Sequence, residues 1–129
     1  MLRNLGLAAL GQWRLDEAEA RLQQALAAHR EVGDRRLEAQ VLGDLGVVYC
    51  VRGELTTAVS AAEAALTLIR GTGDRRGEGQ ELSSLGVFLA AVGRDREAEA
   101  ALTQALALQR VHGNPAAIAR TLANLGALW

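Results

Sequence analysis

The sequence predicts an all-α protein, a right-handed α-solenoid of antiparallel helix pairs with about seven helices. Three observations predict this fold: an internal 40-residue repeat, apolar residues at helical spacing within each repeat, and glycines where one helix would end and the next begin. The composition agrees, because Ala, Leu, Glu, Gln and Arg are strong helix formers and aromatic residues make up only 3% of the chain.

The repeat appears when the sequence is aligned with itself at an offset of 40 residues, so that Gly6 aligns with Gly46. Four Leu-Gly pairs then share one phase, within the segments NLGLAAL, DLGVVYC, SLGVFLA and NLGALW. We predict a partial first repeat at 1–33, a second at 34–73, a third at 74–113, and the first helix of a fourth at 114–129. One helix pair cannot bury both of its faces, so neighbouring pairs are expected to stack.

Each complete repeat is predicted to hold two helices. Apolar residues from Leu42 to Tyr49 follow the i, i+3, i+4, i+7 spacing that places them on one face of a helix. Glycine then follows each helix, where a C-terminus favours a residue that tolerates a left-handed backbone. The second helices are predicted to end at Gly33, Gly73 and Gly113, with Asp34, Asp74 and Asn114 as the N-caps of the helices that follow.

Glycine also recurs inside the first helix of each predicted pair. Gly46 lies one turn after Leu42, and Gly86 occupies the same phase of the next repeat. A glycine inside a helix costs about 1 kcal/mol relative to alanine, so its return indicates a packing role. We expect Gly46 to face Ala58 and Ala65 of the following helix and to let the two helices approach closely.

The pattern resembles the tetratricopeptide repeat family. Its consensus is matched in order and spacing by Leu42, Leu45, Gly46, Tyr49, Ala58 and Ala65. The 40-residue period exceeds the usual unit of about 34 residues and resembles the longer subclass found in kinesin light chain, LGN-like adaptors and bacterial regulators. The resemblance implies a superhelix whose concave groove binds a protein or peptide partner, and hosts that are bacterial signalling or regulatory proteins.

Charge and hydropathy argue against several other classes of protein. The net charge is −1, which provides no field to attract nucleic acid. No apolar run approaches the roughly 20 residues needed to span a bilayer, and no signal-peptide pattern is present at the N-terminus. The single Cys50 cannot form an internal disulfide, which fits a reducing compartment. These observations predict a soluble, cytoplasmic protein without nucleic-acid or membrane partners.

The sequence offers no catalytic, cofactor or metal-binding constellation. The stretch GTGDRRGEG at 71–79 is the part most like a phosphate loop, but a dinucleotide fingerprint requires glycine where Arg76 stands. His29 and His112 lie far apart in the sequence, and Cys50 has no evident histidine partner. Arg75 and Arg76 could contact phosphate, yet the neighbouring acidic residues favour a solvated face. We therefore expect no enzyme, cofactor or metal.

The remaining candidate site is the groove that the resemblance implies, lined by the first helix of each pair. On those helices the face opposite the Leu/Gly stripe combines small apolar and polar residues, which suits an amphipathic helix or an extended peptide. In the longer-repeat adaptors an Asn before Leu-Gly hydrogen-bonds the bound peptide; Asn4 and Asn124 match that role, whereas Asp44 and Ser84 depart from it. The Lys/Asn clamp for C-terminal carboxylates is absent. The predicted groove residues are Asn4, Leu7, Gln40, Asp44, Val47, Cys50, Gln80, Ser84, Val87, Arg120, Asn124 and Ala127.

An alternative role is structural self-association. By the phase of the repeat, residue 1 and residue 129 both fall inside predicted helices, so the array is expected to be a fragment of a larger protein or to end against another copy. Apolar segments at 1–10 and 118–129 would then stack end to end or dimerise. In that case the groove residues would pack against a capping helix or a neighbouring copy.

Overall fold

The computed structural model describes residues 15–128, which form six α-helices and, over that range, no strand. We number them α1 (Leu15–Val32), α2 (Arg35–Val51), α3 (Leu55–Thr72), α4 (Arg75–Ala91), α5 (Asp95–His112) and α6 (Pro115–Leu128). The all-α fold predicted from the sequence is confirmed. The remaining predicted helix falls on the N-terminal residues, outside the described part of the chain.

Side chains cap the helices that begin each pair. The Asp34, Asp74 and Asn114 side chains each accept a hydrogen bond from the backbone N–H three residues later, at 3.1, 3.0 and 2.9 Å. This confirms the three predicted N-caps. By contrast, the N-cap residues of α3 and α5, Glu54 and Arg94, make no capping hydrogen bond with their side chains. The turn between pairs is therefore the one that the sequence specifies most directly.

Glycines end the helices, and one of them does so differently from the others. Gly33, Gly53, Gly73 and Gly93 adopt φ values of 75° to 87°, the left-handed conformation that a side chain would strain. Gly113 ends α5 with extended backbone instead, at φ −97° and ψ −163°. The backbone conformation of Gly113 does not require glycine, but the space around it does, because a Cβ would lie 2.8 Å from the carbonyl oxygen of Gln109.

The helices form a curved stack of antiparallel pairs. Each helix packs against the next along the chain, and the backbones of α2 and α4, and of α4 and α6, also make contact. The backbones of α1 and α3, and of α3 and α5, do not. The first helices of the pairs are thus closer together than the second helices, so the inner surface of the curve is formed by α2, α4 and α6.

Small residues allow the two helices of each pair to pack closely. A Cβ on Gly46 would lie 3.4 Å from the carbonyl oxygen of Ala58 and 2.8 Å from Cε2 of Phe88. On Gly86 it would lie 2.5 Å from Cγ of Leu102 and 3.3 Å from the carbonyl oxygen of Ala98. The predicted contact between Gly46 and Ala58 is confirmed, and the Phe88 ring fills the space beside it.

The junctions between pairs differ along the array. Arg30 pairs with Glu38 at 3.0 Å, and Arg70 pairs with Glu78 at 3.1 Å in the same register. At the third junction the equivalent residues are Arg110 and Ile118, so this pair is absent. Over its described length α6 buries only Thr121 and Leu125, whereas α4 buries eight residues. Among the six described helices, α6 therefore buries the fewest residues.

No helix within residues 15–128 is both long enough and apolar enough to cross a membrane.

Candidate peptide-binding groove

The inner surface carries an open groove, which includes a cavity of about 450 Å³ lined mainly by α4 and α6. Val47 of α2 also lines this cavity. Six of the residues predicted from the sequence line it together: Val47, Gln80, Ser84, Val87, Arg120 and Asn124.

The other predicted residues lie elsewhere or outside the described range. Ala127 lines an adjoining depression of about 340 Å³, which it shares with Val87 and Asn124. Gln40 and Asp44 are half-buried on α2 and do not line the main cavity. Cys50 is half-buried and packs against the core. Asn4 and Leu7 lie outside the described residues.

The floor of the cavity is apolar. Val47 and Val87 remain 37% and 39% exposed on the inner surface, although they belong to helices that are otherwise well packed. Phe88 lies beneath them and is only 4% exposed, yet it also lines the cavity. The sequence prediction missed Phe88; the available signal was that it is the only phenylalanine in the chain and stands at the phase of Val48.

A hydrogen-bonded chain of three side chains holds α6 against α4 and α5. The Thr121 hydroxyl donates to Oε1 of Gln109 at 2.6 Å and lies 3.4 Å from the Ser83 hydroxyl. Nε2 of Gln109 points to the carbonyl oxygen of Gly79 at 3.5 Å. Ser83 and Gln109 also line the cavity. The position of Gln109 is taken by Ile69 in the preceding repeat, so a polar contact replaces an apolar one beside the cavity.

Two arginines are the charged side chains among the described residues that line the cavity. Arg120 projects from α6, and Arg76 lies in the first turn of α4. Nε of Arg76 donates to the carbonyl oxygen of His112 at 2.9 Å. The sequence interpretation placed Arg76 on a solvated face, and it did not foresee that Asn114, a helix cap, would line the same cavity.

The shifted pKa values belong to groups outside this cavity. Burial, and then the Glu19 carboxylate, raise the pKa of Tyr49, whose hydroxyl lies 3.4 Å from Oε2 of Glu19. A hydrogen bond to Glu19 raises the pKa of Arg52, which also contacts Asp16. These groups join α1 to α2. Within residues 15–128, no cluster of three or more His, Cys, Asp or Glu side chains could hold a metal ion.

The geometry and the sequence define the same class of protein. One tetratricopeptide repeat family profile matches residues 1–71, and a second matches residues 82–115. The first covers more than half of the chain, so the chain belongs to the tetratricopeptide repeat family. Repeats of this family mediate protein–protein interaction, and the fold is a non-catalytic one. No curated protein sequence matches the chain.

Solved structures show the same fold at low sequence identity. BtubC (BKLC) from P. vanneervenii superposes with a TM-score of 0.86 at 20% identity, over 98% of this chain and 53% of that one. The N-terminal domain of stress-induced protein-1 (STI-1) from C. elegans gives a TM-score of 0.70 at 17% identity, over 95% of this chain and 91% of that domain. The chain thus spans about half the length of BtubC.

Proposed function

We propose that this chain is a scaffold module that binds a protein partner through its inner groove, holding either an extended peptide or one face of an amphipathic helix. The observation that carries the proposal is the exposed pair Val47 and Val87 on the inner surface, flanked by the amide and hydroxyl groups of Gln80, Ser84 and Asn124. An apolar floor accommodates partner side chains, while amides and hydroxyls pair with its backbone.

The proposed contact surface extends beyond the cavity. On α6 it includes Arg120 and Ala127, and on α2 it includes Gln40, Asp44 and Cys50, which carry the inner face away from the cavity. Asn4 and Leu7 would continue it at the N-terminal end. What supports this extension is the shared 40-residue phase of these positions.

We also propose the finer assignments. The array belongs to the longer-repeat subclass, with repeats at 1–33, 34–73, 74–113 and 114–129. The 40-residue spacing and the N-caps at Asp34, Asp74 and Asn114 support this division. The host is proposed to be a larger cytoplasmic signalling or regulatory protein of bacterial type, which agrees with the chain spanning about half the length of BtubC.

A double substitution tests the groove. We expect Val47→Arg with Val87→Arg to abolish capture of peptides from a displayed random library, because two charged side chains would cover the apolar floor. Circular dichroism and mass in solution should not change, since both residues are already more than one-third exposed.

The matched control makes the same chemical change away from the groove. Val32 and Val111, at 77% and 75% exposure, lie in the last turns of α1 and α5 and do not line the cavity. Val32→Arg with Val111→Arg should leave capture intact. Peptide capture that survives in the Val47/Val87 variant would contradict the proposal.

A specific observation favours self-association as a second candidate function. Leu122 is 46% exposed on α6, and apart from the neighbouring residues and backbone of its own helix no described atom lies within 4 Å of where a Cβ of Gly126 would be. The same face of α2 and α4 is covered by the following helix. Light scattering distinguishes the two functions: a mass that rises with concentration favours association through this face, and a monomer at every concentration contradicts it.

A further inference from the structure

The third junction differs from the first two in charge, and the difference falls inside the groove. The cavity between α4 and α6 is lined by Arg76 and Arg120, and no Asp or Glu is among its described lining residues. Two residues depart from the type found at the equivalent positions of the preceding repeat, and each departure adds positive charge to the cavity.

The first departure removes a counter-ion. In the preceding repeat, Nε of Arg36 lies 3.9 Å from Oδ2 of Asp74, the N-cap of the next first helix. Arg76 has the same phase as Arg36, but the N-cap it faces is Asn114. The Asn114 amide keeps the capping bond to the N–H of Ala117 at 2.9 Å, yet it carries no charge. Arg76 donates to a backbone carbonyl instead of a carboxylate.

The second departure adds a cation. Arg120 stands where the two preceding repeats have Gln40 and Gln80. It makes no hydrogen bond or ion pair within the described part of the chain. Each of the two departures therefore raises the charge of this cavity by one, relative to the repeats before it.

The carboxylates around the cavity lie outside its lining: Asp95 lines the adjoining depression with Ala127, and Asp44 lies half-buried on α2. Glu78 is engaged by Arg70 and Arg75 at 3.1 and 3.0 Å. The Glu81 carboxylate lies on the α2 side, where a Cβ of Gly43 would be 2.7 Å from its Oε2. Neither residue lines the cavity.

We propose that the partner of this groove is an acidic peptide segment, with an Asp or Glu side chain in the cavity shared by Arg76 and Arg120. This inference rests on the proposed groove binding. A side chain fits better than a chain terminus because the groove continues in both directions, to Val47 and to the depression at Ala127. The amides of Gln80 and Asn124 are placed to bind the backbone on either side of the acidic residue.

The probe is a random peptide library fused through its C-termini to a phage coat protein, so that only side chains can supply a carboxylate. We expect selection on the natural chain to enrich Asp and Glu. A selected peptide and its copy with Gln in place of Glu are then compared by fluorescence anisotropy. The acidic peptide should bind about fivefold more tightly, as for a solvent-accessible charge pair.

Two substitutions introduce the residues that stand at the equivalent positions of the preceding repeats. Arg120→Gln installs the residue found at Gln40 and Gln80, and Asn114→Asp restores the counter-ion found at Asp74 while keeping the cap. Each should reduce the preference for the acidic peptide by about twofold and leave the Gln peptide unaffected. Arg96→Gln, which removes an exposed charge outside the cavity, should preserve the preference.

The possible outcomes separate the two proposals. Selected peptides that require Val47 and Val87 but show no acidic enrichment overturn the charge inference and leave groove binding intact. A selection that yields no peptide above background overturns groove binding and this inference with it. The preference should also weaken between about 0.01 M and about 1 M salt, where the screening length falls from about 30 to about 3 Å; a preference independent of salt overturns the charge inference.

Discussion

Gly86 shows how single positions set the spacing of the helices. A methyl group there would lie 2.5 Å from Cγ of Leu102, so α4 and α5 are as close as two packed backbones and one leucine allow. Gly46 does the same for α2, with Phe88 in contact. The cost of glycine in a helix is about 1 kcal/mol, and close packing of Leu102 and Phe88 offsets it.

Tyr49 gives a test of electrostatics at the scale of one residue. Burial and the Glu19 carboxylate raise its pKa in the folded chain, so folding favours the neutral phenol. This contribution to stability is complete below the unfolded pKa of about 10 and is lost as pH rises through the folded pKa. We expect the free energy of unfolding to fall from about pH 10 upward, and to fall less steeply in Tyr49→Phe.

The composition allows the ionisation of Tyr49 to be measured without overlap from another tyrosine or a lysine. Tyr49 is the only tyrosine, so the phenolate absorbance reports it alone, and the chain has no lysine whose ammonium would titrate over the same range. Chemical unfolding followed by circular dichroism at several alkaline pH values gives the slope. Parallel slopes for the natural chain and Tyr49→Phe would show that the Tyr49 environment does not couple to folding.

At the scale of elements, the second junction is held by two arginines that pair with one mostly buried carboxylate. The Glu78 side chain is 10% exposed, accepts from Arg70 of α3, and also pairs with Arg75 in its own helix. By contrast, the Arg94–Glu97 pair within α5 is exposed, and the hydrogen bond from Arg94 lowers the pKa of Glu97.

The contrast between these pairs predicts unequal effects. Glu78→Gln should destabilise the chain by about 1 kcal/mol, because a charge-assisted bond between two helices is lost while both arginines stay partly solvated. Glu97→Gln, as the matched control, should leave the urea midpoint unchanged within error. An equal loss in both variants would mean that the junction pair contributes no more than a surface pair.

At the scale of the whole molecule, stability is expected to be uneven along the array. In a solenoid each helix is stabilised mainly by its nearest neighbours, and α6 buries two residues while α4 buries eight. The Arg–Glu pair of the first two junctions is also absent at the third. The wall of the cavity that carries Arg120 and Asn124 therefore belongs to the least buried of the first helices.

Hydrogen exchange measures this gradient. We expect amides of α6 to exchange faster than those of α4 under native conditions, since local opening of α6 exposes less apolar surface. Exchange followed by mass spectrometry of peptic fragments resolves the two helices. Equal protection of α4 and α6 would instead indicate that the array opens as one cooperative unit.

The sequence by itself determined the helices and their ends. Caps at Asp34, Asp74 and Asn114, left-handed glycines and the apolar stripe depend on contacts within a few positions along the chain, and a 40-residue repeat displays each of them several times. The same phase placed Val47, Gln80 and Val87 on the inner surface, because residues in one register of a solenoid share one face.

Only the tertiary structure decided which of these residues share a cavity. The cavity is also lined by Arg76, Phe88, Gln109 and Asn114. Their local sequence patterns indicate, in the same order, a solvated turn, a core position, a helix end and a helix cap. Cys50 has the phase of a groove residue but packs against the core. The cavity is formed by helices that lie a full repeat apart in the chain, and its shape depends on how far α6 stands from α4. That distance is set by side-chain packing and by the Ser83–Thr121–Gln109 contacts, which no short-range pattern in the sequence encodes.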